Sequence, residues 1–263
     1  LETGRAGLQD RIKISSHAAS MVPSKIGLPV GGTIKVEDAI LALVTKSAND
    51  IAAAMAEHLG GSEKNFAKMM TNKARQIGMK NSTFKNASGL HDPGQVTTVR
   101  DIAIMSRVLI KSYPRYYKYF STKNFTFQGK SYHNHNRLME TYPGMDGLKT
   151  GYINASGFNL AASAVRGNKR LIGVVFGGRT THSRNAHMKE LLDAGFKKVG
   201  AGHNSGKSVN ASTPLLVSNV PVPPRKPALL RALASLNSTA TNAMAQIRPD
   251  AGAAEQGQNS QFA

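Results

Sequence analysis

The point at which the hydrophobic period changes constrains the fold of this chain more than any other feature. Across residues 36–110 apolar side chains recur at helical spacing, whereas across 124–176 they fall in short alternating blocks between turn residues. Residues 36–44 read as a helix with Ile40, Leu41, Leu43 and Val44 on its apolar side. A second helix is expected over 50–59, with Asn49 available to cap it and Gly60-Gly61 to stop it. Ser62 is expected to cap a third over 63–77, closed by Gly78, and Thr98 to open a fourth running through Ile110. Residues 124–127 and 130–133 flank Gln128-Gly129 and read as a hairpin. Residues 158–165 and 171–176, around Arg166-Gly167-Asn168-Lys169, read as a second, and residues 183–194 return to helix. A helical block, then antiparallel strands, then a closing helix implies an α+β (α/β layered) domain.

The texture of the chain changes near residue 200. Residues 201–263 hold six of the eleven prolines and a single aromatic, Phe262. They read as a Pro/Ala/Ser-rich linker or disordered tail, with an extended run at Val220-Pro221-Val222-Pro223-Pro224 and a candidate helix over 228–246. The domain is therefore expected within 1–200. At the other end, Leu1-Glu2-Thr3-Gly4-Arg5 reads like the last turn and cap of a helix, which gives the expectation that a segment precedes it. No signal-peptide pattern is present, and no apolar run reaches the roughly eighteen residues of a membrane span.

Charge and cysteine usage narrow the chemistry. Thirty-four Lys and Arg against fifteen Asp and Glu give +19, of which 29 less 13, or +16, falls in residues 1–200. Such a surface favours anionic partners. Because the charge is scattered, with no run of five basic residues, it reads as a solvated basic face rather than a nucleic-acid site. The absence of cysteine excludes disulfides, thiol catalysis and cysteine-held metal, and leaves the compartment open.

Two tripeptides carry the chemistry. Ser47-Ala48-Asn49 sits between two expected helices, and Lys149-Thr150-Gly151 precedes the strand that begins near Gly157. Each is weak alone, since Ser47 and Asn49 could be plain capping residues and K-T-G a plain turn. Together, in this order, they match the second and third elements of serine acyl-transfer enzymes that use S-x-x-K, S-x-N and K-T-G. No serine of the 263 residues is expected to stand three positions before a lysine, so the chain should lack the serine–lysine pair that would serve as nucleophile and base.

With these motifs stand further landmarks: Asn86-Ala87-Ser88-Gly89-Leu90, Pro93-Gly94-Gln95, Arg100-Asp101, Asn134-His135-Asn136-Arg137-Leu138 and Gly177-Gly178-Arg179-Thr180. In this order they resemble the low-molecular-mass penicillin-binding proteins, the serine D-alanyl-D-alanine carboxypeptidases of the S11 type, over about residues 5–200. The resemblance implies the penicillin-binding, β-lactamase-like transpeptidase fold: an antiparallel sheet flanked by helices, with a helical subdomain. It implies removal of the terminal D-alanine of peptidoglycan stem peptides through a serine ester. The nucleophile, its helix and the first strands of the sheet are then expected upstream of Leu1. Ser47 would relay a proton, Asn49 would bind the substrate's amide backbone, and Lys149 would add positive charge beside the reaction. Thr150 and Arg184 would hold the terminal carboxylate, arginine suiting a planar anion. Gly151 would leave room for substrate along the strand edge, and the Tyr152 N–H would serve as an oxyanion donor.

His135 falls near the cleft, where some relatives carry arginine, although a strand histidine is more often structural. Arg184 could equally be a first-turn surface arginine. His133 and His135 alternate as if on one side of a strand, but no third ligand accompanies them, so no metal and no cofactor are expected. The ten methionines read as core filler. Peptidoglycan stem peptides and, as covalent inhibitors, β-lactams are the implied partners, in the bacterial periplasm or envelope; membrane attachment is left open. The rival readings are a D,D-endopeptidase, a β-lactamase, and a non-catalytic cationic protein binding glycan or nucleic acid.

Overall fold

In the computed structural model, which describes Leu1 and residues 3–201, the chain opens with a turn. Gly4 N–H donates to Leu1 O at 3.0 Å, and the positive φ of 69° this requires suits a residue without Cβ. Strand β1 (Arg11–Lys13) then pairs antiparallel with β2 (Thr33–Lys35), setting Ile12 opposite Ile34. Both isoleucines are fully covered. Between the strands lies α1 (Ser16–Ser20), capped by Ser15, whose hydroxyl accepts from Ala18 N–H at 2.9 Å. Neither the three-residue strands nor this five-residue helix was expected, because elements so short show no period.

The helical block follows as α2 (Val36–Thr45), α3 (Asn49–Gly60) and α4 (Glu63–Gln76). Helix α3 buries Ala52, Ala53, Ala54 and Ala56, and these small side chains let α1, α2 and α4 pack closely on it. Ser62 caps α4 as expected, accepting from Asn65 N–H at 3.2 Å. Asn49 does not cap α3. The cap position is Ala48, with no side-chain bond, and Asn49 is the first helical residue. Thr98 caps α5 (Val99–Ser112), accepting from Asp101 N–H at 3.1 Å. A short α6 (Pro114–Tyr117) runs into a 3₁₀ turn, Lys118–Ser121.

Strands β3 (Asn124–Phe127) and β4 (Lys130–His133) form the expected hairpin around Gln128-Gly129. Phe125 and Tyr132 from this hairpin enter the same core as Ile12, Ile34 and Ile51, so the hairpin closes the helical half. After α7 (Leu138–Thr141) come β5 (Met145–Ile153), β6 (Gly157–Arg166) and β7 (Lys169–Gly178), an antiparallel sheet in that order, and then α8 (Thr181–Ala201). Alternation along β6 splits its side chains between two layers. Leu160, Ala162 and Ala164 pack with Met188, Leu192 and Phe196 of α8. Ala161 faces the other way, toward Tyr117, Leu148 and the partly buried Ile102, Leu109 and Ile110. A sheet between helices is the expected α+β layering.

Residues past 201 lie outside the described residues. So do the proline-rich run and the 228–246 helix of the expected tail.

Candidate active site

Ser47 sits in the middle of the three-residue bridge between α2 and α3, with φ of 57°. A residue with a Cβ in this left-handed region is under local strain, which helix α3 must impose as it starts immediately after. The start is fixed from outside. Asn49 N–H donates to Ser24 O at 2.7 Å, and the Asn49 side-chain amide donates to Val22 O at 2.9 Å. Ser24 Oγ in turn donates to Lys46 O at 2.9 Å. The neighbouring Asp50, 1% exposed, accepts from Ile26 N–H at 3.1 Å and Gly27 N–H at 2.8 Å. Loop 22–27 is thereby tied to the start of α3. Asp50 was not singled out from the sequence, although an acid at the second position of a helix is a readable signal.

Lys149-Thr150-Gly151 lies on β5, opposite Ala161, Leu160 and Asn159 of β6. Among the described residues no strand pairs with the other edge of β5, so this edge is open to an extended peptide. Lys149 Nζ donates to Thr150 O at 2.8 Å. Burial first, and the Arg184 charge second, lower its pKa to about 8. A Cβ added at Gly151 would meet only Asn159 Cβ, at 4.0 Å. Neither packing within the chain nor a left-handed backbone therefore calls for glycine there. Tyr152, 56% exposed, stacks on Phe158 with ring centroids 4.5 Å apart. It forms one wall of an open depression of about 430 Å³ with Leu90, His91 and Ile153–Ala155.

Arg184 is not the surface arginine that the sequence left open: it is 3% exposed. Its Nε and Nη2 both donate to Asn185 Oδ1, at 3.0 and 2.8 Å, and Nη1 donates to Asn159 O at 3.2 Å. Gly178 makes room for this, because a Cβ there would stand 2.7 Å from Arg184 Cβ. Thr180 and Ser183 cap the helix turn that carries it, Ser183 N–H donating to Thr180 Oγ1 at 3.0 Å and Thr180 N–H to Ser183 Oγ at 3.1 Å. Burial lowers the Arg184 pKa. Among the described residues neither Lys149 nor Arg184 forms a salt bridge with a carboxylate. Asn159 and Asn185, which orient the guanidinium, went unnoticed in the sequence.

His135 stands in the loop after β4, not on the strand, and its side chain is exposed while Asn134 and Asn136 on either side are buried. Burial of the ring, then the charges of Lys149, Lys46 and Arg137, lower its pKa. Lys46 adjoins Ser47. Residues at or beside both tripeptides therefore act on this one imidazole.

The expectation that the chain holds no S-x-x-K needs correction, since Ser82-Thr83-Phe84-Lys85 has that spacing. It lies outside any helix, so the spacing does not stack the two side chains as one helical turn would. Ser82 is fully buried, donates to Asp101 Oδ2 at 2.6 Å and pairs with Thr97 Oγ1 at 2.8 Å; Lys85 is exposed. The pair is structural.

Residues 1–180 match the peptidase S11 family model, described as D-alanyl-D-alanine carboxypeptidase. The chain is 39% identical over 207 residues to the D-alanyl-D-alanine carboxypeptidase DacF of Bacillus subtilis, covering 75% of this chain and 52% of that protein. It superposes on penicillin-binding protein 5 of Haemophilus influenzae with TM-score 0.72 and 36% identity, over 75% of this chain and 59% of that one. It also superposes on the cefotaxime-bound form of penicillin-binding protein D2 of Listeria monocytogenes with TM-score 0.66 and 30% identity, over 74% and 80% of the two chains. The chain thus spans about half the length of the carboxypeptidases it matches in sequence, 52% and 44% of two of them. Its α+β layering is that of the penicillin-binding transpeptidase fold, and the chain belongs to the peptidase S11 family of D-alanyl-D-alanine carboxypeptidases.

Proposed function

We propose that these residues form the substrate-holding side of a D-alanyl-D-alanine carboxypeptidase site, acting on peptidoglycan stem peptides in the bacterial envelope. One observation carries the reading. Two cations, the half-buried Lys149 on an open strand edge and the buried Arg184, have no carboxylate partner among the described residues, and Gly151 beside Lys149 is not required by packing. A positive pair partly shielded from water and without a counter-ion suits an anion, and the C-terminal carboxylate of a D-alanyl peptide is an anion of suitable size.

In this reading the peptide lies antiparallel along β5 beside Gly151. Thr150, Lys149 and Arg184 take its terminal carboxylate, and the Asn49 amide takes a backbone carbonyl. The Tyr152 N–H stabilises the oxyanion that forms when a serine attacks the carbonyl between the two D-alanines. Ser47 passes the proton toward the leaving amine. The attacking serine and its lysine base are not among these residues: Ser82 and Lys85 have the spacing without the geometry. β-Lactams, one of which is bound in the Listeria neighbour, are the expected inhibitors of a site of this shape.

Titration of the chain with N-acetyl-D-alanyl-D-alanine, followed by amide chemical shifts, tests this. Shifts are expected around residues 47–49, 149–152 and 184, and none with the L,L enantiomer. Lys149→Ala should weaken binding about tenfold or more, the loss of one charge-assisted contact. Affinity should fall as the pH rises through about 8, where Lys149 loses its charge. Binding that ignores stereochemistry and collapses with salt would instead favour a merely cationic surface. Fluorescent penicillin should leave no ester on any peptide from residues 1–263, and a labelled serine there would overturn the division of roles.

A further inference from the structure

We propose that His135 is the proton-controlled member of this anion site, taking up a proton as the substrate carboxylate binds. The proposal rests on the carboxypeptidase reading and adds to it a pH response below neutrality.

The placement is geometric. β4 packs against α2, whose C-terminal cap is Lys46, so the loop leaving β4 emerges beside the S-A-N bridge. The same loop is pinned to β5: the buried Asn136 amide donates to Gly147 O at 3.2 Å, two residues before Lys149. Asn134 fixes the other side, its N–H donating to Lys123 O at 2.7 Å and its side-chain amide to Thr122 O at 2.9 Å. Two buried asparagines thus hold the loop that carries His135 as it runs from β4, packed on α2, toward β5. The charged groups acting on the imidazole are Lys149 from β5, Lys46 from the end of α2 and Arg137 from its own loop, and no carboxylate is among them.

Partial burial of the imidazole favours its neutral form, and the three cations acting on it add to this. An incoming carboxylate reverses the local balance. It screens Lys149 and Lys46 from the ring and offers an acceptor for a ring N–H, so the proton is held more tightly in the complex. By linkage, a group whose pKa rises on binding tightens binding, fully below its free-state value and not at all once the pH exceeds its bound-state value. The window therefore opens below the ordinary histidine pKa of about 6.5. It is separate from the loss of affinity through about 8 that belongs to Lys149.

The test uses the full 263-residue chain, with N-acetyl-D-alanyl-D-alanine and its C-terminal amide as probes, by calorimetry in two buffers of different ionisation enthalpy between pH 5 and 7.5. The acid should bind with proton uptake and about tenfold more tightly at pH 5 than at pH 7, which corresponds to a rise of about one pKa unit. The amide should show neither effect. His135→Gln should flatten the acid-side profile at the weak limit, and His135→Arg should flatten it at the tight limit; a merely structural histidine would give neither pattern. Independently, imidazole titration by NMR should show the His135 pKa rising in Lys46→Met. Binding of the acid without pH dependence, or a His135 pKa unmoved by Lys46→Met, overturns the proposal and leaves the carboxypeptidase reading standing. Failure of the acid to bind at any pH overturns both.

Discussion

Ser47 keeps φ at 57° although it carries a Cβ, which costs about 1–2 kcal/mol relative to glycine. Strain beside a candidate catalytic hydroxyl is a reason to test the position. Ser47→Gly should raise the unfolding free energy by about 1 kcal/mol in denaturant melts. Gly151→Ala is the complementary case. Its new methyl meets nothing closer than 4.0 Å within the chain, so the melting temperature should be unchanged while dipeptide affinity falls. An equal loss of stability would show that Gly151 serves the fold. At this scale the sequence named the chemistry-bearing residues but not their holders. Ser47, Asn49 and Lys149 stand in motifs, while Arg184 came only from the family resemblance. Asp50, Asn159 and Asn185 make bonds to residues 23–25 positions away or next door, and no local pattern reveals a long-range partner.

Among the elements, α5 depends on a buried acid at its start. Asp101, 1% exposed, accepts from Asn81 N–H at 2.8 Å and from Ser82 Oγ at 2.6 Å, fastening the 81–82 loop to the helix. Asp101→Ala leaves both donors buried and unpaired, and should cost about 2–4 kcal/mol in denaturant melts without shifting resonances of residues 149–152. At the other face of the sheet, α8 lies close on β7 because Gly173 leaves room: a Cβ there would stand 2.5 Å from Met188 Sδ. Gly173→Ala should therefore destabilise the protein, and Met188→Ala in the same chain should recover part of the loss. Long elements with period and punctuation were legible, among them the Asn124–Phe127 and Lys130–His133 hairpin and the cap at Ser62. Strands β1 and β2 were not, since three residues in each carry no alternation to read.

For the molecule as a whole, three tyrosines fasten distant parts together. Tyr119 OH donates to Glu37 at 2.6 Å, Tyr117 OH to Asp146 at 2.9 Å and Tyr142 OH to Asp193 at 2.9 Å. All three pKa values are pushed up to about 12, by the Glu37 hydrogen bond foremost for Tyr119 and by burial foremost for Tyr117 and Tyr142. A phenol whose folded pKa is raised contributes stability that is complete below its unfolded value near 10 and lost as the pH climbs through about 12. Denaturation midpoints should accordingly fall between pH 10 and 12, and Tyr119→Phe should make that fall shallower. The sequence by itself determined the layering, since period and turn residues are local properties, and it determined the chemistry, since S-A-N and K-T-G keep their spacing in any fold. Tertiary structure alone decided which charges act on one another, those of Lys46 and Lys149 on His135 and that of Arg184 on Lys149. Their charges come from four separate elements, and the strength of each depends on burial and distance, quantities that exist only once the chain has closed on itself.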